Sequence, residues 1–101
     1  MGRINASKDG FVASGAGATT IIAGPGYLHS ITISTTTSGA LQTATFYDSL
    51  AGSGDILIKA SIYYLYQNPK QLDYNTHPLY FTTGLTIDPG NCNVHVTVRA
   101  A

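Results

Sequence analysis

Glutamate and tryptophan are missing from this chain, and cysteine occurs once, at Cys92. A single thiol excludes an internal disulfide and any metal centre built on clustered cysteines. Charge is scarce as well. Five Lys or Arg face five aspartates, so 10% of residues are charged and the formal net charge is zero, against about 25% charged in an ordinary soluble domain. The basic residues Arg3, Lys8, Lys59, Lys70 and Arg99 are scattered, which leaves no positive stripe for nucleic acid. No apolar run approaches the length of a membrane-spanning helix. The opening MGRINASKDG has no apolar core of an export signal, so synthesis in the cytoplasm without Sec export is expected. Nucleophile-elbow, phosphate-loop and EF-hand patterns are all missing. With no Glu and well-separated aspartates, acid pairs of the glycosidase kind find no anchor either. The chain therefore reads as a non-enzyme that needs no cofactor and no metal.

What is present is a rhythm of short β-rich runs between Gly, Pro, Asn and Asp breaks. Leu28 to Thr37 reads LHSITISTTT, Ala40 to Tyr47 reads ALQTATFY, and Cys92 to Arg99 reads CNVHVTVR. Branched and aromatic side chains suit a pleated surface, and alternation of period two sends one face into a core. Shorter candidate strands cover Phe11–Ala13, Thr19–Ala23, Pro78–Thr82 and Leu85–Ile87. At 101 residues the chain suits one domain with a feasible core. The expectation is an all-β, antiparallel sandwich of jelly-roll type with seven or eight strands. Residues 1–9 read as a polar N-terminal arm, residues 10–101 as the sandwich, and about 63–78 as a Tyr- and Pro-containing loop with a local strand near Leu72–Tyr74. In the strand ending at Tyr47, Ala44 and Phe46 are the preferred inward pair. In the next, Ile56, Ile58, Ala60 and Ile62 are expected inward and Lys59 outward. Cys92 shares a face with Val94, Val96 and Val98, so it reads as a packed thiol rather than a reactive one.

Possible chemistry is thin. His29 and His95 lie on strands, but a metal site would need a third ligand and close pairing. Asp48 and Asp55 bracket a turn and read as caps of it. The tyrosines stand out: Tyr27, Tyr47, Tyr63, Tyr64, Tyr66, Tyr74 and Tyr80 are seven amphipathic surfaces in a small protein. Tyrosine covers apolar area yet keeps a hydroxyl for bonding, a combination enriched at interfaces. The candidate interface residues are Tyr27, Tyr63, Tyr64, Tyr66 and Tyr74, with His29 and Arg3.

The segments AGPGYLHSITIS (Ala23–Ser34) and TATFYDSLAGSGDIL (Thr43–Leu57), followed by PLYFTTGLTI (Pro78–Ile87) and VHVTV (Val94–Val98), resemble small tailed-phage virion proteins. The pattern is similar to that of capsid decoration, cement or head-fibre proteins of β-sandwich or jelly-roll type. This resemblance implies a structural protein on the outer surface of an icosahedral head, cementing neighbouring major-capsid subunits. The implied partners are the major capsid protein and further copies of the chain in a homo-oligomer, with a trimer among the options. It implies no nucleic-acid or membrane partner and no catalytic residues. The Tyr63–Tyr74 region departs from the shorter connection of that pattern. A tail- or baseplate-associated domain, or a carbohydrate-binding module using exposed tyrosines, is the alternative reading.

Overall fold

The computed structural model of the chain describes residues 7–38, 40–65 and 68–101. The Val-, Ile-, Thr- and aromatic-rich runs form strands, and the Gly, Pro, Asn and Asp clusters separate them. In order these are β1 (Lys8–Val12), β2 (Thr19–Ala23), β3 (Gly26–Thr35), β4 (Gln42–Asp48), β5 (Asp55–Ile62), β6 (Lys70–Asp73), β7 (Leu79–Phe81), β8 (Gly84–Asp88) and β9 (Cys92–Ala100). They make two antiparallel sheets. Sheet A runs β1-β9-β3-β6 with β7 also on β3, and sheet B runs β2-β8-β4-β5.

Strands β6 and β7 occupy successive stretches of one edge of β3. Ser30–Ile33 pair with Asp73–Lys70, and Gly26–Leu28 pair with Phe81–Leu79. Taken as one interrupted strand, β6 and β7 make an eight-strand winding. In it the first strand pairs with the last, the second with the seventh, the third with the sixth and the fourth with the fifth. This is a long hairpin rolled into two layers, the jelly-roll arrangement. Among the described residues the expected count of seven or eight strands thus becomes nine because the sixth is split. Strand β1 also starts earlier than expected, with Lys8 opposite Val98 and Asp9 opposite Thr97, inside the stretch read as an arm.

The core lies between the inner faces. Sheet A contributes Leu28, Ile31, Ile33, Val94, Val96 and Val98, and sheet B contributes Ala44, Phe46, Ala60, Ile62, Leu85 and Ile87. Alternation on β4 and β9 is regular, so Ala44 and Phe46 face inward as expected, and Cys92 is fully buried beside its valines. Burial raises the Cys92 thiol pKa, in keeping with a packed group.

Two bulges overturn parity elsewhere. In a regular strand His29 would share the face of Ile31. A register shift between Leu28 and Ser30 instead buries both Leu28 and Ile31. A second shift separates the Phe46–Ile58 pair from the Tyr47–Ile56 pair, leaving Leu57 as the extra residue. Ile56, expected inward, is therefore exposed, because it follows Tyr47 to the outer face.

Hydroxyl pairs bridge strands on the outer face of sheet B. Thr20 Oγ1 and Thr86 Oγ1 are 2.8 Å apart, and Thr43 Oγ1 lies 2.9 Å from Ser61 Oγ. Thr86 is buried yet satisfied, donating to the Ser49 carbonyl at 2.8 Å. Cross-strand hydroxyl pairs of this kind cover a sheet without charge, which is how a chain so poor in ions builds a polar exterior.

Candidate functional site

Two exposed aromatic surfaces are built by different parts of the winding. The first is a tip where β5 ends and β6 begins. The Gln42–Ile62 pair closes the sheet at this end, so Leu41 just before β4 and Tyr63 just after β5 emerge together. Tyr63, Tyr64 and Leu41 are exposed, and Leu65 is 77% exposed. Both flanks of the tip are anchored. Asn68 pairs the end of β3 much as a strand would, its Oδ1 accepting from Thr35 N at 3.2 Å and its Nδ2 donating to Thr35 O at 2.9 Å. Lys70 Nζ donates to Ser61 O at 3.2 Å, tying the start of β6 back to β5. The apolar residues are thus presented by a fixed base.

The second surface is the outer face of sheet A. Directly opposed residues of antiparallel strands share a face. The register accordingly lines up Phe11–His95–Thr32, then Asp9–Thr97–Ser30, then Arg99–Tyr27–Tyr80. Phe11 and His95 rings are 4.5 Å apart, and Tyr27 and Tyr80 rings 5.2 Å apart, both tilted. The Arg99 guanidinium lies 4.6 Å above the Tyr27 ring, at cation–π distance.

The expected interface residues do not converge. Tyr27 belongs to the sheet A face, while Tyr63 and Tyr64 belong to the tip. Tyr74 packs partly against the core, and its amide donates to the His29 carbonyl at 2.7 Å. His29 sits at the bulge, its Nε2 buried and without a hydrogen-bond partner among the described residues. His95 is across from Thr32, so the two histidines occupy different rows and make no pair. Arg3 and Tyr66 lie outside the described residues. Among the described residues no three His, Cys, Asp or Glu side chains come together as metal ligands. Phe11 and Asp9 were not singled out in the sequence, and Tyr80 was one tyrosine of seven, because each joins this face only through strands distant along the chain.

Asp48 does something other than cap its own turn. Its carboxylate accepts from Thr82 N at 3.0 Å, Thr83 N at 2.8 Å, Gly84 N at 3.4 Å and Thr82 Oγ1 at 3.2 Å. Three successive amides thus form a nest around an internal anion, pinning the β7–β8 turn to the end of β4. Burial by itself would raise the Asp48 pKa, but the amides of Thr82, Thr83 and Gly84 and the Thr82 hydroxyl outweigh it, and the net direction is down. A depressed carboxylate stabilises the fold above its unfolded pKa of about 3.9. That contribution is lost as pH falls through the lower folded value. Asp48→Asn turns an amide donor toward this nest. It is expected to cost about 1–2 kcal/mol at neutral pH, after allowing for solvent screening at a partly exposed site. Urea unfolding at pH 7 and at pH 2.5 checks this: the gap between wild type and variant should shrink at the lower pH. A gap independent of pH would show that the charge is immaterial.

Comparison with protein-family models, with curated proteins and with solved structures finds no match to this chain.

Proposed function

We propose that this chain is a virion structural protein that binds the outer surface of an icosahedral phage capsid and cements neighbouring major-capsid subunits. The observation that carries this reading is the anchored apolar tip, Leu41 with Tyr63, Tyr64 and Leu65, on a body with formal net charge zero. A free monomer gains solubility from net charge and from a surface clear of apolar patches. This chain lacks both, with zero net charge and an apolar patch at its tip, which suits a surface covered by protein in its working state. The likeness of its glycine-led LHSI strand and its FYDSLAGSG turn to phage decoration proteins supplies the kind of partner.

The mechanism is adhesion with no chemistry. Aromatic side chains fill pockets on the shell, exclude water and stabilise the assembled state because they bind only that state. A homo-oligomer engages several tips at once, so each bound subunit holds the others close to their sites. The jelly roll serves as a rigid mount, and it loses little order on binding.

Shells assembled without this protein test the reading when the purified chain is added back and copies per particle are counted by cryo-electron microscopy. Wild type should decorate the head at symmetry-related positions. Tyr64→Ala should weaken binding about tenfold, the scale of losing an interface hot spot, and by more than Ser7→Ala does. Equal occupancy for these two variants would count against a tip-centred contact, and density at the tail alone would remove the head assignment.

A further inference from the structure

The outer face of sheet A is built differently from the tip. Its centre is a hollow of about 200 Å³ lined by Asp9, Ser30, Thr32, His95, Val96 and Thr97. The side chains offer one carboxylate, three hydroxyls and one imidazole. The Asp9 carboxylate is only lightly engaged, with Thr97 Oγ1 donating to it at 3.4 Å. Aromatic rings flank this polar centre on both sides. Phe11, 52% exposed, stands at one end beside His95, and Tyr80, 49% exposed, stands at the other. Tyr27 buttresses Tyr80 while Arg99 lies over the Tyr27 ring, so Tyr80 is the ring presented at this end. His95 and Arg99 are four residues apart on β9, about 13 Å at about 3.4 Å per residue. Phe11 on β1 and Tyr80 on β7 are also three strand spacings of about 4.8 Å apart, so the two presented rings are separated by roughly 20 Å.

We infer that this face binds a short neutral oligosaccharide. A sugar presents apolar C–H faces and a dense rim of hydroxyls, which act both as donors and as acceptors. The exposed rings supply stacking surface at the two ends, and the centre supplies the acceptors and donors that the rim needs. A protein partner fits this face less well. Interface cores are depleted of charge, and a protein covering this hollow would strip water from the Asp9 carboxylate. Sugar hydroxyls can bond to that carboxylate directly. The separation of the rings favours a chain of sugars over a single one. The site is carried on four paired strands, β1, β9, β3 and β7, so its side chains are held in place before any ligand arrives. It shares no residue with the tip and stands independently of the capsid reading.

The experiment is a titration of the isotope-labelled chain by nuclear magnetic resonance, with cellotetraose, maltotetraose, chitotetraose and mannotetraose added separately. At least one should give saturable shifts confined to the amides around Asp9, Phe11, Ser30, Thr32, His95 and Thr97. Phe11→Ala and Tyr80→Ala remove rings that are about half exposed, so the fold survives, and each should weaken that sugar about tenfold. Asp9→Asn, which keeps the shape and removes the charge, should also weaken it. Tyr64→Ala at the tip should leave sugar affinity unchanged. The inference is overturned if none of the four sugars shifts these amides at millimolar concentration. It is equally overturned if binding ignores all three substitutions, or if this face responds only to added capsid shell or to rising concentration of the chain itself. Failure here would leave tip-mediated capsid binding intact, and failure of Tyr64→Ala to affect capsid occupancy would leave the sugar site intact.

Discussion

Phe46→Ala is expected to destabilise the fold by about 3–5 kcal/mol, the range for truncating a buried aromatic. Phe46 is fully buried at the middle of β4, paired with Ile58 on one side and Ile87 on the other. Its ring fills the space between sheets that the short Ala44 and Ala60 side chains leave on the same inner face. Neither paired neighbour can follow the lost ring inward without dragging its own ladder, so most of the cavity persists. A domain of this size has about 5–15 kcal/mol in total. The melting temperature should therefore fall by roughly 12–40 °C, at about 4–8 °C per kcal/mol, as read by circular dichroism. A loss below about 1 kcal/mol would mean that the two sheets do not pack through this ring.

Gly26→Ala is the second large effect, and its cause is crowding. Gly26 opens β3 between two neighbours, opposite Ala100 on β9 and Phe81 on β7. A Cβ there would meet the Arg99 carbonyl oxygen at 2.7 Å and Phe81 Cζ at 2.7 Å. Overpacking typically costs about 1–3 kcal/mol, and the upper end is expected because one obstacle is backbone inside a paired strand. Gly10→Ala is the comparison: its Cβ would meet only side-chain methyls of Ile21 and Val96, at 3.1 Å each, which can give way. Gly26→Ala should lose clearly more stability in urea unfolding than Gly10→Ala. Adding Phe81→Leu to Gly26→Ala relieves the ring clash and leaves the carbonyl clash, so a double-mutant cycle should show partial coupling. Equal losses for the two glycines would rule out close approach of β3 to β9 as the reason for Gly26.

Both effects bear on function through the same framework. The tip and the sheet A face sit on opposite demands, one apolar and one mixed, but each needs strands that do not shift. Gly26 adjoins the Tyr27–Tyr80 row, so crowding there should also disturb the presented ring. The internal anion at Asp48 holds the β7–β8 turn, which leads from Tyr80 into the core strand β8.

The strand content of this chain follows from its amino acids alone. Alternation in CNVHVTVR decides which side chains face inward, because a pleated strand turns successive residues to opposite faces and only one face there is apolar. In TATFY both faces carry large side chains, and burial of Ala44 and Phe46 settles the choice. The low charge was equally plain, and the two cross-strand hydroxyl pairs of sheet B are its structural counterpart. Tertiary structure decided what alternation could not. The bulges at His29 and Leu57 add a residue to one strand, which reverses the parity that put His29 with Ile31 and Ile56 with Ile58. The split of the sixth strand, the pairing of Lys8 and Asp9 with β9, and the meeting of Phe11, His95, Tyr80 and Arg99 on one face all depend on strands far apart in the chain. Period-two patterning reports the face of a residue within its own strand. The neighbour across the ladder is set by how the whole hairpin rolls, and no local pattern encodes that.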